Sequence, residues 1–363
     1  MGNRLRQPAR QAGCEGTHPS QRTRLGVAQA NLTTHTRATH VSIWPTVVGG
    51  PYNEKGNTMN RLKFSYFQLT FGQEEAYLQP HRTYERLKRC GYDAIEICPP
   101  KGRYGLGVKM EPYLRQHLQL KADFGLAVSS VNECWGEVWD PYSPTYKTLT
   151  EQKTADLAVS ETRSTIDFAA ELGASFVTVA VAIHGPITAA NVNECTAIAV
   201  DALRRMSDYA RQKNLRLVFE ATNHLEMGKF VNTVANHRRV IELTGCDNIG
   251  IQIDWFHVNI EELNPYEAVM DAQPLLWHMH FRDSNSLTPG YGTTDFKAVI
   301  RAAKKTGYEG YCCIESSPMV PDADTAARDG IEYLRLLERI VDYQLSPDFP
   351  NGFALPTSVK SAQ

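Results

Sequence analysis

The chain has 363 residues and 42% hydrophobic content, enough to bury a sizeable core in one large domain or two ordinary ones. Its 38 Lys and Arg nearly balance 40 Asp and Glu, a net charge of −2, so no general basic field exists to hold nucleic acid or an anionic membrane. The purely apolar stretches are short, as at Val179 to Ile183, far below the ~18 residues of a spanning helix, and eight cysteines without a CxxC pair favour a reducing, cytoplasmic setting over a disulfide framework.

Residues 1–58 hold six Arg and one Lys against Glu15 and Glu54, a net +5 that leaves −7 on the remainder. No helical or strand period runs through them, so a disordered N-terminal extension is expected. Their basic character leaves organellar targeting open, although neither an amphipathic transit helix nor a secretory apolar core is present. From Met59 onward, short β-branched or aromatic runs alternate with longer segments of helical period. The runs that predict strands are 63–70, 94–98, 127–132, 176–183, 216–220, 249–254, 277–281 and 311–315. Helical patterns cover 164–172 and 196–213, and Gly173, Gly245 and Gly307 stand where helix C-terminal glycines belong. In the final predicted helix, Ile331, Leu334, Leu337 and Val341 form one apolar stripe.

Eight strand and helix units in about 285 residues predict a closed (β/α)8 TIM barrel, whose usual size is about 250 residues. It is expected to form a single α/β domain over 59–345, followed by a loosely attached tail at 346–363. The rival, an open doubly wound sheet, is disfavoured because no GxGxxG follows the first predicted strand.

Predicted strands five to eight finish in Val218-Phe219-Glu220, Gln252-Ile253-Asp254, His278-Met279-His280 and Cys313-Ile314-Glu315. The intervals of 34, 26 and 35 residues each match one strand-helix unit, which brings the four polar groups together at the barrel mouth. Three carboxylates gathered there are costly to ionise without a compensating positive charge, and a divalent cation supplies it. Oxygen-rich ligation with one imidazole and no thiolate favours Mn2+ or Mg2+, with Co2+ as an alternative, over a structural zinc. The competing reading pairs each acid separately with an Arg or a helix N-terminus.

Neighbouring positions add detail. Glu226 and His257 lie shortly after Glu220 and Asp254 and are placed to bond substrate hydroxyls or to serve as surface and cap residues. The loop after the third strand carries Trp135, Trp139 and Tyr142, which either stack on a sugar ring or pack the loop on the barrel. His184 and Glu96 end their own strands with the same ambiguity, the Pro289-Gly-Tyr-Gly292 loop reads as an ordinary turn, and Cys312 and Cys313 read as small core residues.

These residues resemble the xylose isomerase-like barrels of the sugar (phosphate) isomerase/epimerase family, and within them the tagatose and psicose 3-epimerases. The resemblance covers the architecture from Met59 to Tyr343, with specific motifs from Phe219 to Glu315. It implies one Mn2+, Co2+ or Mg2+ ion held by Glu220, Asp254, His280 and Glu315, and a sugar contacted by Glu226 and His257. Members of the epimerase type continue the Asp-Ser-Asn run with an Arg that holds substrate oxygens, whereas this chain has Ser286. Strand alternation gives Arg282 the same facing as His278 and His280, so it either replaces that Arg or forms a salt bridge on the rim. The resemblance further implies a small-molecule sugar substrate and a homo-oligomer, while the charge balance and short apolar stretches argue against a nucleic-acid or membrane partner.

The expected chemistry is proton abstraction next to a carbonyl through an enediolate, with Glu220 and Glu315 addressing opposite faces of the carbon. Proton return to the same carbon gives epimerisation and to its neighbour gives aldose–ketose isomerisation. Loss of a β-hydroxyl would make the protein a dehydratase or lyase, and a C-glycoside deglycosidase on the same barrel is a further alternative. A related abasic-site endonuclease needs more His and Asp ligands and a basic groove, which the −7 body opposes. Sugar binding without catalysis needs no paired bases.

Overall fold

The computed structural model describes residues 60–133, 147–180, 187–188, 190–225 and 231–346. The extension at 1–58, the tail beyond 346, and Trp135, Trp139, Tyr142, His184 and Glu226 lie outside them.

Every predicted run contains a strand. These are β1 (Lys63–Phe67), β2 (Ala94–Ile97), β3 (Ala127–Glu133), β4 (Phe176–Ala180), β5 (Arg216–Glu220), β6 (Ile249–Asp254), β7 (Leu276–Phe281) and β8 (Tyr311–Ile314). Each pairs in parallel with its successor, and β1 closes on β8 with Ser65 opposite Cys313. Several strand ends differ from the sequence expectation. Strand β1 stops at Phe67, because Gln68–Phe71 tightens into a 3-10 turn in which Thr70 Oγ1 donates to the Phe67 carbonyl at 2.7 Å. β2 and β8 stop one residue short of Cys98 and Glu315, β3 runs one residue further to Glu133, and β7 starts one residue earlier and ends at Phe281 as expected.

The helices are α1 (Gln73–Leu78), α2 (Pro80–Cys90), α3 (Met110–Phe124), α4 (Gln152–Leu172), α5 (Val192–Gln212), α6 (Val234–Thr244), α7 (Trp255–Glu261), α8 (Pro265–Ala272), α9 (Phe296–Thr306) and α10 (Ala323–Leu345). Helices α4, α6 and α9 end at Gly173, Gly245 and Gly307, whose φ of 66–68° is left-handed, a conformation that costs other residues more. At their starts, Thr233, Asp295 and Asp322 accept hydrogen bonds from the first turns of α6, α9 and α10. Ile331, Leu334 and Val341 of α10 are buried and Leu337 packs beside them, as the stripe requires. No helix among the described residues is long and apolar enough to cross a membrane.

Strand alternation sorts the side chains. Phe64, Tyr66, Ile95, Ile97, Val177, Phe219, Ile253, Met279, Phe281 and Ile314 join the helices in the main apolar core. Alternate positions face the lumen, where Ser65, Glu96, Ser130, Asn132, Thr178, Glu220, Gln252, Asp254, His278 and His280 are all buried. A barrel interior is ordinarily filled by bulky branched residues, so a polar lumen marks this one as chemically specialised. Phe67, Cys98 and Cys313 form a small separate apolar cluster, while Cys312 belongs to the main core.

The end of the barrel opposite the mouth is closed by ion pairs. Asp93 binds Arg61 and Arg335, each at 2.7 Å, and Glu338 binds Arg335 at 2.7 Å and Lys304 at 2.8 Å. Lys304 also reaches Asp342 at 3.0 Å, and Glu338 accepts from the backbone of Leu62 at 2.6 Å. Three cations face three anions, and the network fastens α9 and α10 to the start of β1.

Candidate active site

Glu220, Asp254, His280 and Glu315 project from the mouth ends of β5, β6, β7 and β8 with ligand atoms all within 4.8 Å of one another. His280 Nδ1 lies 2.5 Å from Glu315 Oε2 and 3.6 Å from Glu220 Oε1. Asp254 ends β6 and caps α7: its Oδ1 accepts from the Phe256 N–H at 2.8 Å. Its other oxygen, Oδ2, is buried without a hydrogen-bond partner and lies 3.8 Å from His257 Nε2 and 3.9 Å from Arg282 Nη1. Asp254 thus caps the next helix, as the competing reading has it for that residue, whereas Glu220 and Glu315 both face His280.

The electrostatics follow from crowding in a buried place. Burial, reinforced by Asp254, Glu315 and Glu96, pushes the Glu220 carboxyl up to about 8 against the pull of His280. Asp254 is pushed up to about 7 by burial and Glu315, against Arg282 and His280. Burial also opposes the charge on Glu315, yet His280 and Arg282 outweigh it and hold that carboxyl below the usual range. His280 is the counterpart: burial opposes its charge, but Glu96 and Glu315 raise its pKa well above the ordinary imidazole range. Three carboxylates, one imidazole and an orphaned buried oxygen fit a hard or borderline divalent cation.

Of the sequence-predicted neighbours, His257 and Arg282 are found here. His257, buried on α7, receives the Asn223 side-chain N–H on Nδ1 at 2.7 Å, which turns Nε2 toward Asp254. Arg282 sits one residue beyond β7. Its guanidinium lies over the Phe256 ring at 4.4 Å, and its Nε donates to Ser286 Oγ at 2.8 Å. Ser286 in turn donates to the Ser317 carbonyl at 2.8 Å. Arg282 and Ser286 are thus joined, and the long side chain at 282 reaches toward Asp254.

The glycines of the Pro289-Gly-Tyr-Gly292 loop serve the protein's own carboxylate. Asp283 accepts from the backbone N–H groups of Ser284, Gly290, Gly292 and Thr294 at 2.7–3.0 Å. A Cβ on Gly292 would stand 2.4 Å from Asp283 Oδ1, so only glycine admits this approach.

Sequence reading assigns no definite role to Glu96, Ser130, Asn132 or His278. Beneath the first cluster, Glu96 accepts from His278 Nε2 at 2.8 Å, His280 Nε2 at 3.1 Å, Asn132 Nδ2 at 3.1 Å and Ser130 Oγ. Burial opposes ionisation of Glu96, but the charge of His280 and the hydrogen bonds from His278 and His280 hold it well below the usual carboxylate range. An acid between Ile95 and Ile97 in a short strand signals an inward-facing charge; its partners come from strands that no local spacing connects.

Comparison with known proteins agrees with this architecture. The model of the family described as "Xylose isomerase-like TIM barrel" matches residues 84–337. The chain is 33% identical over 135 residues to the 3-dehydro-D-guloside 4-epimerase of Escherichia coli (strain K12), covering 37% of this chain and 51% of that protein. It is 30% identical over 130 residues to the D-psicose 3-epimerase of Agrobacterium fabrum, covering 36% and 44%. The matched segments thus span about half or less of these relatives' own lengths. Among solved structures, the apo 3-keto-D-glucoside 4-epimerase from E. coli superposes with a TM-score of 0.64 at 23% identity, over 76% of this chain and 100% of that one, a likeness of fold. With its family match running through seven of the eight strands, the chain belongs to the xylose isomerase-like TIM barrel family.

Proposed function

We propose that the protein is a divalent-metal-dependent sugar epimerase that inverts a hydroxyl-bearing carbon next to a ketone, with Mn2+ as the preferred ion. The observation that carries this reading is the convergence of Glu220, Asp254, His280 and Glu315 from four successive strands. The names of the relatives support the reaction class. A 4-epimerase of a 3-dehydro sugar and a 3-epimerase of the 2-ketose psicose both act beside a carbonyl.

A divalent ion held by these four side chains would offset the negative charge that grows on substrate oxygen as the proton leaves. Glu220 and Glu315 come from strands on opposite sides of β6 and β7, so they address the reacting carbon from two faces. One carboxylate takes the proton from carbon, the C–H pair becomes a C=C bond as the carbonyl π pair moves to oxygen to give an enediolate, and the carbonyl re-forms as the other carboxyl returns a proton to the carbon from the opposite face. The Nε2 of His257 and the guanidinium of Arg282 approach the same space and orient the neighbouring sugar oxygens. Asp283 fixes the adjoining loop through its four backbone bonds, so that wall of the mouth is preorganised.

The test is proton exchange. Protein stripped of metal and reloaded with Mn2+ is incubated in D2O with ketoses and 3-keto glycosides and followed by NMR. Deuterium should enter the carbon beside the ketone as the second epimer appears. Glu220→Gln and Glu315→Gln should each slow that exchange by about 10²- to 10⁴-fold, and Arg282→Ala should weaken substrate binding about tenfold. Full turnover after exhaustive chelation, or undiminished exchange in both Gln variants, would refute the reading.

A further inference from the structure

Two clusters meet at one imidazole. The outer set is Glu220, Asp254, His280 and Glu315; the inner set is Glu96, His278, His280 and Cys313. Either has the side chains of a metal site, but they differ in how far their oxygens are already satisfied. The inner carboxylate accepts from four donors, Ser130, Asn132, His278 and His280, which fills its lone-pair directions. The outer set keeps Asp254 Oδ2 buried and without a partner. An ion at the inner position would only displace existing bonds, whereas one at the outer position would replace the His280–Glu315 contact and supply the partner that Asp254 Oδ2 lacks.

The ring of His280 is held at three points. Its Nε2 faces both Glu96 oxygens, at 3.1 and 3.2 Å, its Nδ1 faces Glu315 and Glu220, and Phe67 stacks on it with centroids 6.3 Å apart. A carboxylate only accepts, so in the cation-free protein Glu96 and Glu315 each face a ring hydrogen; an ion taking the place of the one on Nδ1 would find its lone pair there while Glu96 keeps the hydrogen on Nε2. We infer that Glu96 is a positioning residue for the metal centre: its carboxylate, itself held by Ser130, Asn132 and His278, fixes His280 with Nδ1 turned to the cation, and the inner cluster is a support that binds no ion of its own. This rests on the cation reading of the outer set. Ligating histidines backed by a carboxylate typically lose about tenfold to a hundredfold in metal affinity when that partner is changed.

The full chain, stripped of metal, is titrated with Mn2+ and the free ion is counted by its EPR signal, alongside thermal unfolding. Wild-type protein should take up one Mn2+ per chain. Glu96→Gln should bind it at least tenfold more weakly while its folded fraction stays complete at the assay temperature, an effect that a merely structural role would not produce. If Glu96→Gln does not fold, Ser130→Ala decides, because it leaves Glu96 in place with one donor fewer; about threefold weaker binding supports the inference and unchanged binding overturns it. Equal affinity in wild type and Glu96→Gln overturns the positioning role alone. Two ions per wild-type chain overturn the claim that the inner cluster is only a support. No uptake by wild type sinks the cation reading and this inference with it.

Discussion

The two ends of the barrel treat charge in opposite ways. At the closed end, Arg61, Lys304 and Arg335 meet Asp93, Glu338 and Asp342 in a balanced network. At the mouth, Glu96, Glu220, Asp254 and Glu315 crowd around His280 and Arg282, leaving an excess of acid that raises Glu220 and Asp254. Balance serves stability and imbalance serves chemistry, a division expected of barrels that place catalysis at one face. The mouth relieves that excess by holding protons on Glu220 and Asp254 or by gaining a positive charge.

Perturbing one end at a time separates these roles. The largest effect on stability belongs to the closed end: Lys304→Met takes the ion-pair partner from half-buried Asp342 and leaves buried Glu338 with Arg335, and should cost about 3 kcal/mol, read from the midpoint of chemical denaturation. Its Mn2+ affinity should be unchanged, and a loss of affinity would show that the ends are coupled.

Next in size is the pH dependence of ion binding. Glu220 and Asp254 titrate near 8 and 7 in the folded, cation-free protein, above their unfolded values, so the folded state holds extra protons and loses stability as pH rises through that window. His280 acts with the same sign, since its raised pKa gives stability that is complete below its unfolded value and lost as pH climbs through the folded one. Ion binding displaces these protons. Affinity for Mg2+ or Mn2+ should therefore rise about tenfold to a hundredfold between pH 6 and pH 8, and the ion should raise the melting temperature more at pH 8. A larger rise at pH 6 would contradict the assignment. The smallest effect is a reversal of sign: Glu220→Gln, which removes one buried like charge, should stabilise the metal-free protein by about 1 kcal/mol at pH 8, measured by denaturation in chelator.

Much of this was legible in the chain itself. The eight runs announce the barrel because each strand must cross one core with period-two burial, and Glu220, Asp254 and His280 announce themselves by ending apolar runs at barrel spacing. Local chain turns blur the edges: β1 is cut short by the Gln68–Phe71 turn and Glu315 falls just outside β8. What sequence could not supply is the support. Glu96 belongs to β2 and His280 to β7, and nothing in their 184-residue separation forecasts a bond. The Gly290 and Gly292 pair reads as a turn until Asp283 is seen inside it.

Around the ring, β2 and β7 are kept apart on one side by β1 and β8 and on the other by β3 to β6. The bonds from Glu96 to His278 and His280 therefore act as a strut spanning the hollow at the height of the reacting groups. Flattening the cylinder into an oval would stretch or compress that strut, so the reach between opposing walls is set by one carboxylate. The width of the hollow is thereby a property of the scaffold, fixed before any ligand arrives.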